Sequence, residues 1–474
     1  MTTTADHQQH VTAPEDKVPF KNKVLYGSGS FADMTFQWTL IAFAMPIFNM
    51  ELGYSAATIG IVLAITRLWD AITDPLMGSI SDNARNRFGR RRPFIAVGAI
   101  LSGLFFIGIW FIPSGLSETT FFITFLITAL LFYTSFTIFS VPLLAMGYEM
   151  SADSHERTKI MNVRICANSL NGVFMFSWFA ALVFSKDFLW SDASQGIRMV
   201  GLGFGLTMIV LGLIPAIFLK EETKSYVKKQ ARISVFKSIK LTFSCKPFVY
   251  LVVAFFAALF AYNTVATSYI YPLKYLVCDG DKGVFGAWNG MIEASHHVST
   301  LLMLWPIYVL SQRVGKRVIC MLAPLCLVLG SIAYLFCFVP GMPELILIPR
   351  FIVAMGMAGL FVLVPSMISD VVDYDEVRTG TRREGMFGAF FSWVLKLALA
   401  IALLVNGFIV EGLGISDELG VNQPEGSMET IINLLGILPV IGAVIALYCI
   451  SRYALTDQKM LEMRAQLEKR RGVS

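Results

Sequence analysis

Charged side chains are scarce in this chain: they make up 15% of its 474 residues, whereas 55% of the residues are hydrophobic. The mean hydropathy is +0.65, and apolar runs recur along nearly the whole length. A soluble protein could not bury so many apolar runs in a single core. The composition therefore excludes a soluble globular protein and predicts a polytopic membrane protein.

Cysteine is sparse too, and the common catalytic signatures are missing. The seven cysteines are odd in number and show no CxxC spacing, which argues against a disulfide framework or a zinc site. The patterns GxxxxGK[ST], HExxH and GxSxG do not occur. The glycines of residues 201–205 lie inside an apolar run with no strand before it, so helix packing explains them better than nucleotide binding. We therefore predict neither an enzyme nor a cofactor.

Apolar stretches long enough to cross a bilayer recur along the chain. A transmembrane helix needs roughly 20 mostly apolar residues. Such stretches cover residues 24–50, 56–80, 94–112, 120–148, 160–184, 197–219, 247–277, 284–310, 318–339, 344–368, 386–410 and 431–454. The sequence thus predicts an all-α polytopic membrane protein with twelve transmembrane helices.

The positions of Lys and Arg predict the orientation. If the N-terminus is cytoplasmic, 30 of the 38 Lys and Arg residues fall in the tails and connections on the cytoplasmic side. This asymmetry predicts that both termini are cytoplasmic. It also accounts for the net charge of +5 without a nucleic-acid partner. Residues 1–23 are polar and lack the layout of a signal peptide, so we expect a disordered cytoplasmic tail. We expect the protein to be integral to the plasma membrane, in a bacterium the inner membrane.

The longest polar, basic stretch divides the spans six and six. We predict a tail at 1–23, a first bundle at 24–219, a cytoplasmic linker at 220–246, a second bundle at 247–455 and a tail at 456–474. The connection after the second span ends in Gly-Arg-Arg-Arg, and the one after the eighth carries Gly-Lys-Arg. This echo indicates the major facilitator fold, whose substrates bind near the midplane between two halves.

Two carboxylates, Asp70 and Asp74, interrupt the second apolar span. Each charge in the hydrocarbon costs about 2.5–3.5 kcal/mol on insertion scales, so a retained pair indicates a partner or a function. Asp70 and Asp74 lie one turn apart on one helix face, and Pro75 frees the carbonyl of Ala71 nearby. Such an oxygen cluster suits Na⁺ or a shared proton. The alternative is that Arg67 merely neutralises Asp70 in a packing salt bridge, which leaves Asp74 without a partner in this helix.

Two long motifs carry a resemblance to a known family. Residues 67–94 read RLWDAITDPLMGSISDNARNRFGRRRPF, and residues 367–396 read MISDVVDYDEVRTGTRREGMFGAFFSWVLK. Both resemble the glycoside-pentoside-hexuronide:cation symporters, the melibiose-permease relatives within the major facilitator superfamily. Shorter echoes are YGSGSF at 26–31, TIFSVP at 137–142 and AYN at 261–263.

The resemblance implies three groups of functional residues. It implies cation binding by Asp70, Asp74 and Thr137; substrate binding by Asp33, Gln37, Arg164, Asn263 and Lys396; and a gating network of Asp370, Asp373, Glu376, Arg382 and Glu384. No resident cofactor or metal is implied beyond the coupling ion, Na⁺ or H⁺. The expected partners are a small-molecule substrate, that cation and the lipid bilayer, and we expect a monomer.

Departures from the family pattern concern the substrate. Asp33-Met34 stands where melibiose-type members have a Lys-Asp pair, Ser140 where they have an Asp, and Leu144 where they have a Trp. We therefore do not expect galactoside recognition of that kind. Because Arg164 and Lys396 persist, we expect an anionic ligand such as a uronide or a sulfonated glycoside. The alternative is that Lys396 only pairs with Asp33 or Asp74, and Arg164 with a carbonyl of helix four.

The function that we predict is secondary-active, cation-coupled symport of a glycoside or sugar-like solute by alternating access. Coupling of this kind is reciprocal: the cation raises the affinity for substrate and the substrate raises the affinity for the cation. Two alternatives stay open, namely a carrier of amphipathic lysolipid-like substrates and a membrane sensor that transports nothing.

Overall fold

The computed structural model describes residues 17–84, 88–151, 154–183, 193–219, 244–380 and 384–455, and a few positions beyond 458. Its regular elements in these ranges are helices. The helices are α1 (Phe20–Ala44, continued by Met45–Asn49), α2 (Ala56–Asn83), α3 (Arg92–Trp110), α4 (Glu118–Glu149), α5 (Ser154–Asn171, continued by Gly172–Phe176 and Ser177–Val183), α6 (Ala193–Phe218), α7 (Lys246–Ala266, followed by Ile270–Pro272 and Leu273–Val277), α8 (Lys282–Val314), α9 (Lys316–Cys337), α10 (Leu347–Thr379), α11 (Glu384–Gly412) and α12 (Ser427–Ser451).

Ten of these helices are long and apolar enough to cross a membrane. The other two are α5 and α8, which carry polar residues within their length. These residues are Arg164, Asn168 and Asn171 in α5, and Asn289, Glu293 and two histidines in α8. Twelve crossings therefore stay a prediction, because composition alone does not assign α5 and α8 to the membrane. Both helices are still long enough to span it at 1.5 Å per residue.

Helix ends follow from local chemistry. The hydroxyls of Ser55 and Ser117 and the carboxylate of Asp281 accept the backbone N–H three residues on, which caps α2, α4 and α8. Gly380 ends α10 with a φ of 71°, and its N–H donates to the carbonyl of Glu376. Glycine adopts this left-handed conformation without a Cβ clash, so α10 stops at this point.

Packing repeats with a period of six helices. In the first six, α1 contacts α5 and α6, α2 contacts α4, and α3 contacts α4 and α6. The same pairs recur six helices later, where α7 contacts α11 and α12, α8 contacts α10, and α9 contacts α10 and α12. The main contacts between the two sets are α2 with α11 and α5 with α8. This repetition supports the predicted division into two bundles, whose boundaries stay a prediction.

The backbones of the two sets of helices come close together where α2 begins and α11 ends. A Cβ on Gly407 would lie 2.6 Å from the carbonyl oxygen of Ala56, and one on Gly60 would lie 2.8 Å from that of Leu403. Only glycine fits at this distance, so these residues let the two backbones touch. We call this end of the bundle the opposite face, because it lies opposite the end at which α1 begins and α12 ends.

An aromatic core fixes α1 within the first six helices. The Phe36 ring meets the rings of Phe106, Phe132 and Phe139 edge to face, with centroids 5.9–6.2 Å apart. This geometry is the favoured one for aromatic rings. Because Asp33 lies one turn before Phe36 on α1, the packing also fixes the position of that carboxylate.

Candidate coupling site and substrate cavity

The arginine that precedes the two acids of α2 pairs with the first of them. Arg67 Nη1 lies 3.2 Å from Asp70 Oδ2, and both side chains are buried. The Arg67 guanidinium also stacks over the Tyr133 ring of α4, 3.8 Å from its centroid. A paired, desolvated charge of this kind is costly to disrupt, because removing one partner leaves the other buried and uncompensated. Asp70 therefore has a positively charged partner within its own helix.

The second acid, Asp74, has partners from two other helices. The Thr137 hydroxyl of α4 donates to Asp74 Oδ1 at 3.0 Å, and the Lys396 ammonium of α11 pairs with Oδ2. Lys396 Nζ also donates to the carbonyl oxygen of Asp70 at 3.2 Å. The site thus joins α2 and α4 of the first six helices to α11 of the last six. Lys396, which we expected to bind substrate, pairs in the structure with Asp74, which we expected to bind the coupling cation.

A second ion pair links α1 and α5. Arg164 Nη2 lies 3.0 Å from Asp33 Oδ2, and Asp33 is buried whereas the Arg164 side chain stays 24% exposed. Gln37 lies one turn beyond Asp33 and is partly buried, and Asn263 donates to the carbonyl oxygen of Leu259 in its own helix. The structure therefore joins Asp33 with Arg164, but it records no hydrogen bond from Gln37 or Asn263 to that pair within the described ranges.

The gating residues that the family resemblance implies are described only in part. Asp370 accepts from the Lys316 ammonium at 2.8 and 3.1 Å, which ties α10 to the start of α9. Asp373 and Glu376 lie on the same helix, in its last turns. Arg382 and the side chain of Glu384 lie outside the described residues. The gating role therefore stays a prediction, and Lys316 is a partner that sequence reasoning did not identify.

An ion cluster that the sequence did not reveal joins the two sets of helices at the opposite face. Glu51, which follows α1, lies 3.3 Å from Lys274 and 2.7 Å from Lys282. Asp417 lies 2.7 Å from Lys274 and accepts from the Tyr275 hydroxyl at 3.0 Å. The side chains of Glu51 and Lys274 are buried. We call Glu51, Lys274, Lys282 and Asp417 the opposite-face cluster.

Two titratable groups of this cluster lie outside the membrane-spanning segments. Burial by itself raises the pKa of Asp417, but the hydrogen bond and charge of Lys274 bring this pKa below its usual range. Burial by itself lowers the pKa of Lys282, but the Glu51 carboxylate raises it above its ordinary value. Both residues are therefore charged at neutral pH. Lys282 holds the α1–α2 connection against α8 through Glu51, and Asp417 holds the α11–α12 connection against α7 through Lys274.

Further hydrogen bonds close the same face. The Tyr271 hydroxyl donates to the side-chain oxygen of Asn49 at 2.7 Å, and the Ser55 hydroxyl donates to Glu411 at 3.0 Å. Together with the Gly60–Gly407 contact, they close the bundle at the opposite face. Among the described residues, no group of three or more His, Cys, Asp or Glu side chains is placed to hold a metal ion.

Comparison with known proteins assigns the family. The model of the family described as MFS/sugar transport protein matches residues 25–457. The chain belongs to this family. This MFS/sugar transport protein is therefore an integral membrane transporter and not an enzyme, and the predicted resemblance to cation symporters of the melibiose-permease type is confirmed.

Several relatives of this MFS/sugar transport protein are named as symporters. It is 29% identical to the uncharacterized symporter YnaJ of Bacillus subtilis and 28% identical to the putative glycoside/cation symporter YagG of Escherichia coli, with 96% of each chain covered in both cases. It is 24% identical to a mouse sodium-dependent lysophosphatidylcholine symporter, over 94% of this chain and 88% of that one.

A solved structure shares the fold. A bacterial homologue of the human lysosomal transporter Spinster, in an inward-facing and occupied conformation, matches with a TM-score of 0.66 at 13% identity, over 93% of this chain and 96% of that one. A likeness at this identity supports the major facilitator fold and nothing finer.

Proposed function

We propose that this MFS/sugar transport protein is a secondary-active symporter that couples Na⁺ or H⁺ to a glycoside or sugar-like solute by alternating access. The observation that carries the proposal is the pairing of Lys396 with Asp74, beside Asp70, where α11 of the last six helices meets α2 and α4. The distribution of Lys and Arg predicts that both termini are cytoplasmic, and in this proposal the opposite face is therefore the extracytoplasmic one.

The coupling ion and Lys396 compete for one carboxylate in this proposal. A charge left alone in the hydrocarbon is costly, so Asp74 is neutralised either by the ammonium or by the ion. When Na⁺ or H⁺ neutralises Asp74, the link between α2 and α11 is released. Ion binding in this way changes a contact between the two sets of helices, which is the requirement for coupling to alternating access.

The released ammonium gives the ion a way to raise substrate affinity. In the structure both candidate substrate cations are neutralised, Arg164 by Asp33 and Lys396 by Asp74. An anionic glycoside gains a charge-assisted hydrogen bond from Lys396 only after the coupling ion has displaced it. Acidic glycosides should therefore depend on the ion more strongly than neutral ones.

Thermal unfolding of the purified protein tests the proposal. A ligand that binds only the native state raises its stability by mass action. We expect Na⁺, Li⁺ or lower pH to stabilise the protein, and a glycoside to add more stabilisation with the ion than without it. Stabilisation by a lysolipid, without stabilisation by any glycoside, would favour the lysolipid carrier. Ligand binding without substrate-driven ion flux would favour the sensor.

A further inference from the structure

A buried ion pair lies in the last six helices, away from the coupling site. The guanidinium of Arg350 in α10 lies 2.6 Å from Glu293 Oε1 in α8, and it also donates to the Tyr262 hydroxyl of α7 at 3.1 Å. Arg350 is 6% exposed. The pair is neutral overall, and it ties three helices together.

Only one oxygen of the Glu293 carboxylate takes part in these contacts. Oε1 accepts from Arg350 and from the Tyr269 hydroxyl, the latter at 2.9 Å. Oε2 accepts no hydrogen bond from the described residues, and the Glu293 side chain keeps 16% of its surface exposed. The carboxylate is thus rigidly held through one oxygen and presents the other to solvent.

The helix face that carries Glu293 is turned toward the first six helices. His297, one turn further along α8, packs on α5, since a Cβ on Gly172 would lie 2.2 Å from His297 Nδ1. Residues four apart share a helix face, so Glu293 lies on the side of α8 that faces α5. Glu293 lies eleven positions after Lys282. At 1.5 Å per residue this is about 16 Å, roughly half the hydrocarbon thickness.

The contacts that anchor α8 on α10 and α7 use Oε1 alone, so Oε2 is available to accept hydrogen bonds from a ligand. We propose that Glu293 is a substrate-binding residue whose Oε2 accepts hydrogen bonds from the hydroxyl groups of a sugar ring. Arg350 and Tyr269 are positioning residues that fix the carboxylate. The inference rests on the proposed function, and it adds a subsite for a polyhydroxylated ring.

This chemistry separates two substrate classes. An ionised carboxylate oxygen accepts from neutral hydroxyls, and such charge-assisted hydrogen bonds are about twice as strong as neutral ones. A lysolipid headgroup offers this oxygen fewer hydroxyl donors than a sugar ring does, and the Glu293–Arg350 pair, which is neutral overall, does not attract its phosphate. The subsite therefore fits glycosides, whether or not they carry an acid elsewhere.

Binding to the purified protein at saturating Na⁺ and at a fixed acidic pH tests the inference. The probes are the 4-nitrophenyl β-D-glucoside, galactoside, xyloside and glucuronide, read by calorimetry and thermal unfolding. Glu293→Gln removes the charge, whereas Glu293→Asp keeps the charge opposite Arg350 and withdraws the oxygen by one methylene. Glu429→Gln, in the exposed first turn of α12, is the matched control.

We expect both Glu293 variants to weaken the glycosides that bind the wild type by roughly tenfold or more, while the stabilisation by the coupling ion is kept. Unchanged glycoside affinity in both variants would overturn the subsite and leave the symporter proposal standing. If Glu293→Gln fails to fold, Glu293→Asp decides. If no glycoside of the panel binds the wild type, the proposed function fails, and this inference fails with it.

Discussion

Replacing Lys396 by Gln tests whether the Lys396 ammonium competes with the coupling ion for Asp74 or supports binding of the ion. In the structure the Lys396 ammonium pairs with Asp74 and also contacts the carbonyl oxygen of Asp70. The Thr137 hydroxyl, which also contacts Asp74, is untouched by the change. If the ammonium competes with the coupling ion, its removal should strengthen ion binding. If it helps to hold substrate, the same change should weaken the binding of an acidic glycoside.

The size of the effect follows from the exposure of the pair. The Asp74 side chain is 35% exposed and that of Lys396 is 15% exposed. The pair thus lies between exposed pairs, which contribute about 0.2–1 kcal/mol, and buried pairs, whose disruption costs about 3–5 kcal/mol. We take about 1–2 kcal/mol as the competing free energy. Since about 1.4 kcal/mol is a factor of ten, Lys396→Gln should tighten ion binding roughly 5–30-fold.

The assay is the midpoint of thermal unfolding as a function of NaCl or LiCl, with choline chloride keeping the ionic strength constant, and in parallel as a function of pH. The dissociation constant follows from the dependence on ion concentration. Lys21→Gln, at an exposed lysine near the start of α1, is the matched control. Ion binding that is unchanged or weaker in Lys396→Gln would contradict competition between the ammonium and the ion.

Three further predictions concern coupling, gating and pH. Asp74→Asn should abolish ion-dependent accumulation in vesicles but keep downhill exchange of substrate, whereas accumulation like that of the wild type would place the coupling site elsewhere. Arg382→Ala should increase the labelling of single cysteines placed between the two sets of helices by a reagent added from the cytoplasm, because loss of this cation weakens closure there, and unchanged labelling would exclude the gating role. The stability contributed by Asp417 is complete above the ordinary carboxyl pKa and is lost as the pH falls through its lowered folded-state pKa. Asp417→Asn should therefore flatten the acid side of the stability profile, and an identical acid profile in both proteins would contradict this.

Hydropathy predicted the helices well, but not their ends. The run 56–80 became a helix from Ala56 to Asn83, and 386–410 became Glu384–Gly412. The largest difference is α10, predicted to end at 368 but continuing to Thr379. Hydropathy marks the part of a helix that suits the hydrocarbon, whereas backbone hydrogen bonding continues into polar sequence until a glycine such as Gly380 ends it.

The sequence could not determine which charged residues, far apart along the chain, form ion pairs in the site. For Lys396, the residues allowed either a substrate contact or an ion pair with Asp33 or Asp74, and the structure pairs it with Asp74. The opposite-face cluster was missed because Glu51 lies more than 200 residues before its partner Lys274. One charge near a helix end does not indicate its partner, since tertiary packing alone brings the two together.

Substrate-driven ion flux is the direct test of Asp74 as the coupling site. Proteoliposomes containing the wild type or Asp74→Asn are held without an ion gradient, and a glycoside of the 4-nitrophenyl panel is added outside while radioactive Na⁺ uptake and internal pH are followed. We expect a glycoside to drive Na⁺ or H⁺ inward through the wild type and not through Asp74→Asn. Ion flux that no glycoside stimulates, or that persists unchanged in Asp74→Asn, would contradict it.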